Sequence, residues 1–375
     1  MAGIYVHIPF CTRKCHYCNF FSIVSEKYQR SLLDSLKEEI FIQRDYLSGK
    51  EIASVYFGGG TPSVLDPSEI RDILSEIKKH YPLSKDAEIT IEINPDDSDI
   101  AHLKEYSGMG INRISIGVQS FFDDDLEYLN RVHSADQAIE AVRNAKSAGF
   151  DNISIDLIYG IPTLNDEKWN KNLETAFSLN IQHISAYSLT VEPKTALDVL
   201  IKRKKLPSPK EEDVIAHFRN LMMEMKKKAF IHYEISNFCK EGFYSRHNSM
   251  YWSGEHYLGL GPSAHSFNGS SRQWNVASVI EYIDQIRRNE RFFESETLNA
   301  SQKYNEYVMT SLRTMWGCDL NRIMEEFGMD SGTRFSGLSS RFIESGLMVE
   351  MDGTYYLTDE GKLFADGIAS DLFVD

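Results

Sequence analysis

Three cysteines, Cys11, Cys15 and Cys18, stand four and then three positions apart in the opening stretch "YVHIPFCTRKCHYC". Thiolates this close on one loop are metal ligands, and two metal chemistries suit them. A closed tetrahedral zinc needs a fourth donor, which His7 or His16 could supply as a Cys3His set. A 4Fe-4S cluster on three thiolates leaves one iron open to an outside ligand, and an open iron is reactive. Spacing alone divides the two evenly. A second signal is "GGGTP", Gly58 to Pro62. Such a triplet serves either a tight strand-to-helix turn or a close approach of backbone to a ligand. Polar residues then punctuate the next apolar runs: Glu92, Gln119, Arg131 and Asp156.

The elements that must position these groups alternate. Six β-rich runs ("IYVHI", "SVYFGG", "EITIEI", "RISIGV", "NISIDLIY", "HISAYSLT") are separated by stretches of helical periodicity such as "SEIRDILSEIKKHY" and "ADQAIEAVRNAKSAGF". Several runs read as apolar on both faces, the pattern of parallel strands covered by helices. Because polar groups end nearly every strand, the expected architecture is α/β, a partial (β/α)6 barrel with one working mouth; an open doubly wound sheet would gather them at one switch point. The barrel is expected over residues 1–230. Residues 231–300, rich in Gly, His and aromatics, are expected to form an irregular connecting region of loop and short strands. Residues 301–375 read as three helices and a hairpin turning at Asp352-Gly353, a winged-helix-like α+β domain.

Composition narrows the function. The 375-residue chain carries a net charge of -15, which opposes a phosphate backbone, and residues 301–375 hold six Lys/Arg against thirteen Asp/Glu. Nucleic acid is therefore not the expected partner of either part. The basic run Lys202 to Lys205 reads as a solvated connector. Five cysteines, an odd number, argue against a disulfide framework. With no apolar run of eighteen residues and no leader-like segment, the expectation is a cytoplasmic protein without a transmembrane segment. Cys239 and Cys318 read as isolated core thiols.

CxxxCxxC after "YVHIPF", with Tyr17 beside the last cysteine and "GGGTP" following, resembles the radical S-adenosylmethionine (SAM) superfamily. More narrowly, "FGGGTPS", "IEINP", "GVQSF", "LNRVH", "SIDLIYGIP", "AYSLTVEP", "EISNF" and "HNSMYW" resemble the oxygen-independent coproporphyrinogen III oxidase group and its heme chaperone branch. That resemblance implies a 4Fe-4S cluster on Cys11, Cys15 and Cys18, with SAM on its open iron. It also implies that Tyr5 and Tyr17 contact SAM, that Gly59, Gly60 and Thr61 hold its methionine part, and that Glu92, Gln119, Arg131 and Asp156 bind it. Ammonium needs acceptors, carboxylate suits a guanidinium, and ribose hydroxyls suit carboxylates.

Heme is the third ligand implied. "RHNSMYW" fits the chaperone branch's HNxxYW motif as His247, Asn248, Tyr251 and Trp252. Histidine can ligate heme iron, aromatics can stack on the macrocycle, and Arg246 can pair with a propionate. Read without the resemblance, the segment is a turn entering a strand. His256 and His265 are weaker candidates for a second ligand. The implied function is heme binding and transfer to an acceptor protein, with an electron donor such as a flavodoxin or ferredoxin. The alternative is an oxygen-independent coproporphyrinogen III dehydrogenase, an enzyme that decarboxylates propionates through a SAM-derived radical. The oxidases carry a fourth cysteine two positions after the third, where this chain has Phe20, and an arm ahead of the cluster where it has ten residues. Both departures favour the chaperone branch.

Overall fold

In the computed structural model, which describes residues 1–374, six parallel strands lie side by side in chain order. They are β1 (Ala2–Ile8), β2 (Ile52–Gly59), β3 (Leu83–Ile93), β4 (Arg113–Gln119), β5 (Ile153–Tyr159) and β6 (His183–Ser188). Helices such as Gln29–Ile42, Pro67–His80, Ala135–Ser147 and Asp166–Ser178 make the crossovers. β6 does not pair with β1, so the barrel is partial.

Alternation along the strands decides what faces where. Ile4, Val6 and Ile8 of β1, Val55 and Phe57 of β2 and Ile114 and Ile116 of β4 belong to one hydrophobic core, each with no measurable exposure. The intervening residues form the other face: Tyr5, Ser54, Tyr56, Glu88, Glu92, Arg113, Ser115, Asp156 and His183. Runs that read as apolar on both faces therefore carry a buried polar face, because the side turned from the helices surrounds a site rather than a second core.

Residues 231–300 differ from expectation. Four short strands, β9 (His256–Leu260), β10 (His265–Phe267), β11 (Ser271–Asn275) and β12 (Phe293–Thr297), extend the main sheet beyond β1, and β9 pairs parallel with β1. On the far side β8 (Asn237–Cys239) pairs with β6, and β7 (Ile231–Glu234) with β8. Leu258, Leu260, Tyr282 and Ile286 join the barrel's own core, so the stretch is part of the sheet rather than an irregular connector. Buried Glu39 binds it to the first helix, accepting from Gly261 N, Asn275 Nδ2 and Tyr282 Oη.

The remaining residues build a second core of their own around Tyr304, Val308, Phe335 and Tyr355. Helices Ala300–Leu312, Leu320–Phe327 and Met329–Glu344 pack on a small sheet of β13 (Cys318–Asp319), β14 (Met348–Met351) and β15 (Thr354–Leu357). The hairpin turns at Asp352 and Gly353, both at positive φ (52° and 80°), as a two-residue turn requires. Among the described residues no helix is long and apolar enough to cross a membrane.

Candidate functional site

A cavity of about 390 Å³ opens where β1 to β6 end. Eleven residues singled out from the sequence line it: Cys11, Cys15, Cys18, Tyr17, Gly59, Gly60, Thr61, Glu92, Gln119, Arg131 and Asp156. Local structure explains how each arrives. After β2 the chain turns through Gly59, at φ +114°, and Gly60 into a short turn, Pro62–Val64. It then enters a helix that begins at Pro67, its N-terminus closed by a capping box of Asp66 and Glu69. A Cβ on Gly60 would lie 2.6 Å from Phe10 O and 3.0 Å from Cys11 Sγ, so only glycine lets this turn lie against the cysteine loop. Gln119 ends β4 at φ +66°, a strained conformation for a side-chain-bearing residue, and it faces the cavity.

The cysteine loop is tied down by the segment that delivers Arg131. His16 N donates to Leu129 O at 3.1 Å, His16 Nδ1 meets Tyr128 O at 3.0 Å, and Asn130 Nδ2 donates to Lys14 O at 2.9 Å. Arg131 then donates to Cys15 Sγ (3.3 Å), Asn94 Oδ1 (2.7 Å) and Gly117 O (2.9 Å). Asn94 donates to Thr61 Oγ1 at 3.2 Å, and Thr61 to Cys11 Sγ at 3.7 Å. Two of the three thiols thus belong to one hydrogen-bonded chain.

None of the cysteines is paired in a disulfide, and the three of the loop are half-buried. Burial raises the Cys11 thiol and pushes Cys18 up to about 11. Among the described residues no three His, Cys, Asp or Glu side chains close on one point as a single ion requires. His7, a candidate fourth zinc ligand, has both nitrogens engaged, with Tyr5 Oη at 3.1 Å and Phe21 O at 2.9 Å. On a cluster each thiolate would bind a different iron, so the three thiols need not meet at one point.

The cavity also fits a zwitterion. Arg131 Nε is buried without a partner, a donor left for an incoming acceptor. Two half-buried carboxyls line the same cavity. Glu92 accepts from Tyr56 Oη at 2.8 Å and Gly59 N at 3.3 Å, and burial nevertheless lifts it to about 7. Asp156 takes Ser115 Oγ at 3.5 Å and is raised by burial to about 6. A bound cation would return both to the charged form.

Sequence reasoning missed Asn94, Ser115 and Tyr56. Asn94, immediately before Pro95 at the end of β3, carried a strand-end signal; the other two carried none, because a Ser or Tyr on an inner strand face looks like any buried polar residue. Tyr5 departs from its expected place: it lies beneath the cavity without lining it, its ring 6.2 Å from that of Tyr56.

The HNxxYW residues are elsewhere. Arg246–Ser253 is a helix, neither loop nor strand, N-capped by Ser245 and stopped by Gly254 in the left-handed region. It packs against β2, β9 and β1 at the end of the barrel away from the cysteine loop. Its first amides meet Glu88, which accepts from Arg246 N at 3.2 Å and His247 N at 3.1 Å. His247 is 2% exposed; Nδ1 meets Ser54 Oγ at 2.8 Å and Nε2 meets Tyr251 Oη at 3.0 Å. Burial, then the charge of Arg113, pushes its imidazole down to about 3. Asn248, Tyr251 and Trp252 are half-buried, Trp252 under the Arg313 guanidinium at 5.4 Å. Arg246 pairs with Asp86 at 3.1 Å. His256 and His265, on β9 and β10, do not line the cavity.

The chain is similar to known proteins along nearly its whole length. The family model of the radical SAM superfamily matches residues 5–176, and that of the HemN C-terminal domain matches residues 298–364. The heme chaperone HemW of Bacillus subtilis (strain 168) is 34% identical over 372 residues, 98% of each chain. That of Mycobacterium tuberculosis (strain ATCC 25618 / H37Rv) is 32% identical over 377 residues, covering 99% of this chain and 94% of its own. Among solved structures, the radical SAM enzyme coproporphyrinogen III oxidase (HemN) from Escherichia coli superposes with a TM-score of 0.86 at 22% identity, covering 100% of this chain and 90% of that one. At that identity the likeness speaks for the fold.

Proposed function

Because the chain belongs to the heme chaperone HemW family within the radical SAM superfamily, we propose that it binds a 4Fe-4S cluster, SAM and heme, and hands the heme to an acceptor protein. The observation that carries the cluster and SAM reading is the convergence of eleven sequence-selected residues on one cavity. Full-length likeness to curated heme chaperones carries the choice of heme as cargo.

Cys11, Cys15 and Cys18 hold the cluster, which when bound supplies one electron to the sulfonium of SAM. Arg131 offers its unpaired Nε–H to the SAM carboxylate while its other nitrogens brace Cys15 and Asn94. Glu92 takes the ammonium as a carboxylate, aimed by Tyr56, and Asp156 is placed for ribose hydroxyls. Phe20, 65% exposed at the cavity edge, occupies the place where the oxidases have a fourth cysteine, so it supplies no thiol there.

Heme is assigned to His247, Asn248, Tyr251 and Trp252. Since both His247 nitrogens are engaged, ligation through this ring requires it to leave Ser54 or Tyr251. Heme loading through His247 therefore breaks one of these two hydrogen bonds.

Anaerobic reconstitution with iron and sulfide, then parallel titrations with heme and with coproporphyrinogen III plus SAM and reductant, tests the reading. Stoichiometric heme binding without decarboxylated product is the expected result. Turnover to protoporphyrinogen with no stable heme complex would replace the chaperone by the oxidase.

A further inference from the structure

The SAM cavity and the HNxxYW helix lie on opposite sides of one residue. Tyr56 projects from β2 between them. Its hydroxyl donates to Glu92 Oε1 at 2.8 Å, and its ring stacks on that of His247 at 5.0 Å between centroids and 27° between planes. The fit is close on every side. A Cβ on Gly58 would lie 2.9 Å from the Tyr56 ring and 3.1 Å from the Glu92 carboxyl, while one on Gly3 would lie 3.0 Å from Ser54 Oγ and 3.4 Å from His247 Nδ1. The two glycines leave room for Tyr56 on one side and His247 on the other. Rings packed this closely leave little room for one to move without disturbing the other.

We infer that Tyr56 is a positioning residue that couples the two sites: its hydroxyl sets Glu92 for the SAM ammonium, and its ring carries any displacement of His247 to that hydroxyl. This rests on the SAM and heme reading above and goes beyond it by naming the link. When heme ligation draws His247 off Ser54, the surface supporting the Tyr56 ring goes with it, and Glu92 loses the nearer of its two donors, keeping only Gly59 N. Heme loading then weakens SAM binding. By linkage SAM opposes heme loading by the same factor. The cavity thus senses whether the chaperone carries cargo.

The groups facing Glu92 define what the hydroxyl contributes. Tyr5 from β1, Tyr56 from β2, Asp156 from β5 and Tyr187 from β6 surround it, and Arg113 from β4 is the cation among them. Burial raises the carboxyl, while the Tyr56 hydrogen bond favours the charged form. Removing the hydroxyl while keeping the ring should therefore shift SAM binding to higher pH, a change that a purely structural role for Tyr56 would not produce.

The test is equilibrium dialysis of SAM on the cluster-loaded full-length protein across pH, with and without heme, for wild type and Tyr56→Phe. In the wild type, heme is expected to weaken SAM binding at least about fivefold, the lower end of typical couplings. Tyr56→Phe is expected to bind SAM more weakly, with the pH midpoint displaced upward, and to respond to heme less than the wild type. A reciprocal measurement needs no variant: SAM must weaken heme binding to the wild type by the same factor. Unchanged SAM affinity on heme loading, or a variant with wild-type pH dependence and heme response, overturns the inference while leaving the reading intact. A wild type that binds no heme or no SAM overturns the reading, and the inference with it.

Discussion

Arg131 stands 3.3 Å from Cys15 Sγ and donates through a second nitrogen to Asn94 Oδ1 at 2.7 Å, so one guanidinium spans the cysteine loop and the end of β3. Arg131→Lys keeps the charge and loses the fork. It is expected to lower SAM affinity by about tenfold or more, measured by dialysis on reconstituted protein, while iron content falls little. Undiminished SAM binding would exclude Arg131 from the site.

Cys15→Ser separates metal binding from folding. The residue is half-buried on a loop, whereas Cys239 and Cys318 are fully buried. Iron and sulfide content after anaerobic reconstitution should collapse, with far-UV circular dichroism unchanged. Retention of a full cluster would show that Cys15 is not a ligand.

Gly60→Ala forces a Cβ to 2.6 Å from a backbone carbonyl that cannot rotate away. The expected result is a loss of about 1–3 kcal/mol in stability together with loss of cluster. Gly367→Ala is the control. That residue lies in the helix Ala365–Asp371 with nothing within 4 Å of an added Cβ, so alanine should be neutral or stabilise by up to about 1 kcal/mol. Equal effects at the two positions would mean that the close approach is unimportant.

Glu92 imposes a stability cost that depends on pH. Its folded value, about 7, lies above that of an unfolded glutamate, so its contribution to folding is fully present below the unfolded value and lost as pH rises through the folded one. Melting curves of the cluster-free protein should show stability falling from about pH 4 to about pH 7, and Glu92→Gln should flatten part of that fall. Asp156, raised to about 6, accounts for a further part of the slope. An unaltered slope in the variant would mean that Glu92 is not held protonated.

Ser54→Ala leaves His247 Nδ1 buried without its partner. Unfolding measurements should record a loss of about 1–3 kcal/mol. Stopped-flow mixing should record faster heme association, because one of the two bonds holding the ring is already broken. Slower or unchanged association would place heme entry elsewhere.

The cysteine loop and most of the cavity were legible because their chemistry depends on residue type at short spacing. Three thiols within eight positions and a glycine triplet admit few uses, and polar residues at strand ends fall on one mouth once the strands are parallel. The HNxxYW segment was legible as a motif but not as a helix. Its N-cap Ser245 and C-terminal Gly254 were present as signals, yet the surrounding glycines and aromatics obscured the helical period.

By itself the sequence determined the six βα units, the winged-helix-like end and the residues that converge on the cavity, since these follow from local periodicity and from side-chain chemistry. Only the tertiary structure decided that β9 pairs with β1, that the motif helix packs against β1 and β2, and that Tyr56 stands between Glu92 and His247. Those relations join residues as far apart as Ser54 and His247, 193 positions in the chain. No local pattern encodes such a meeting: it exists because the inner faces of separate strands and one helix share a single space, and the packing of that space selects which side chains touch.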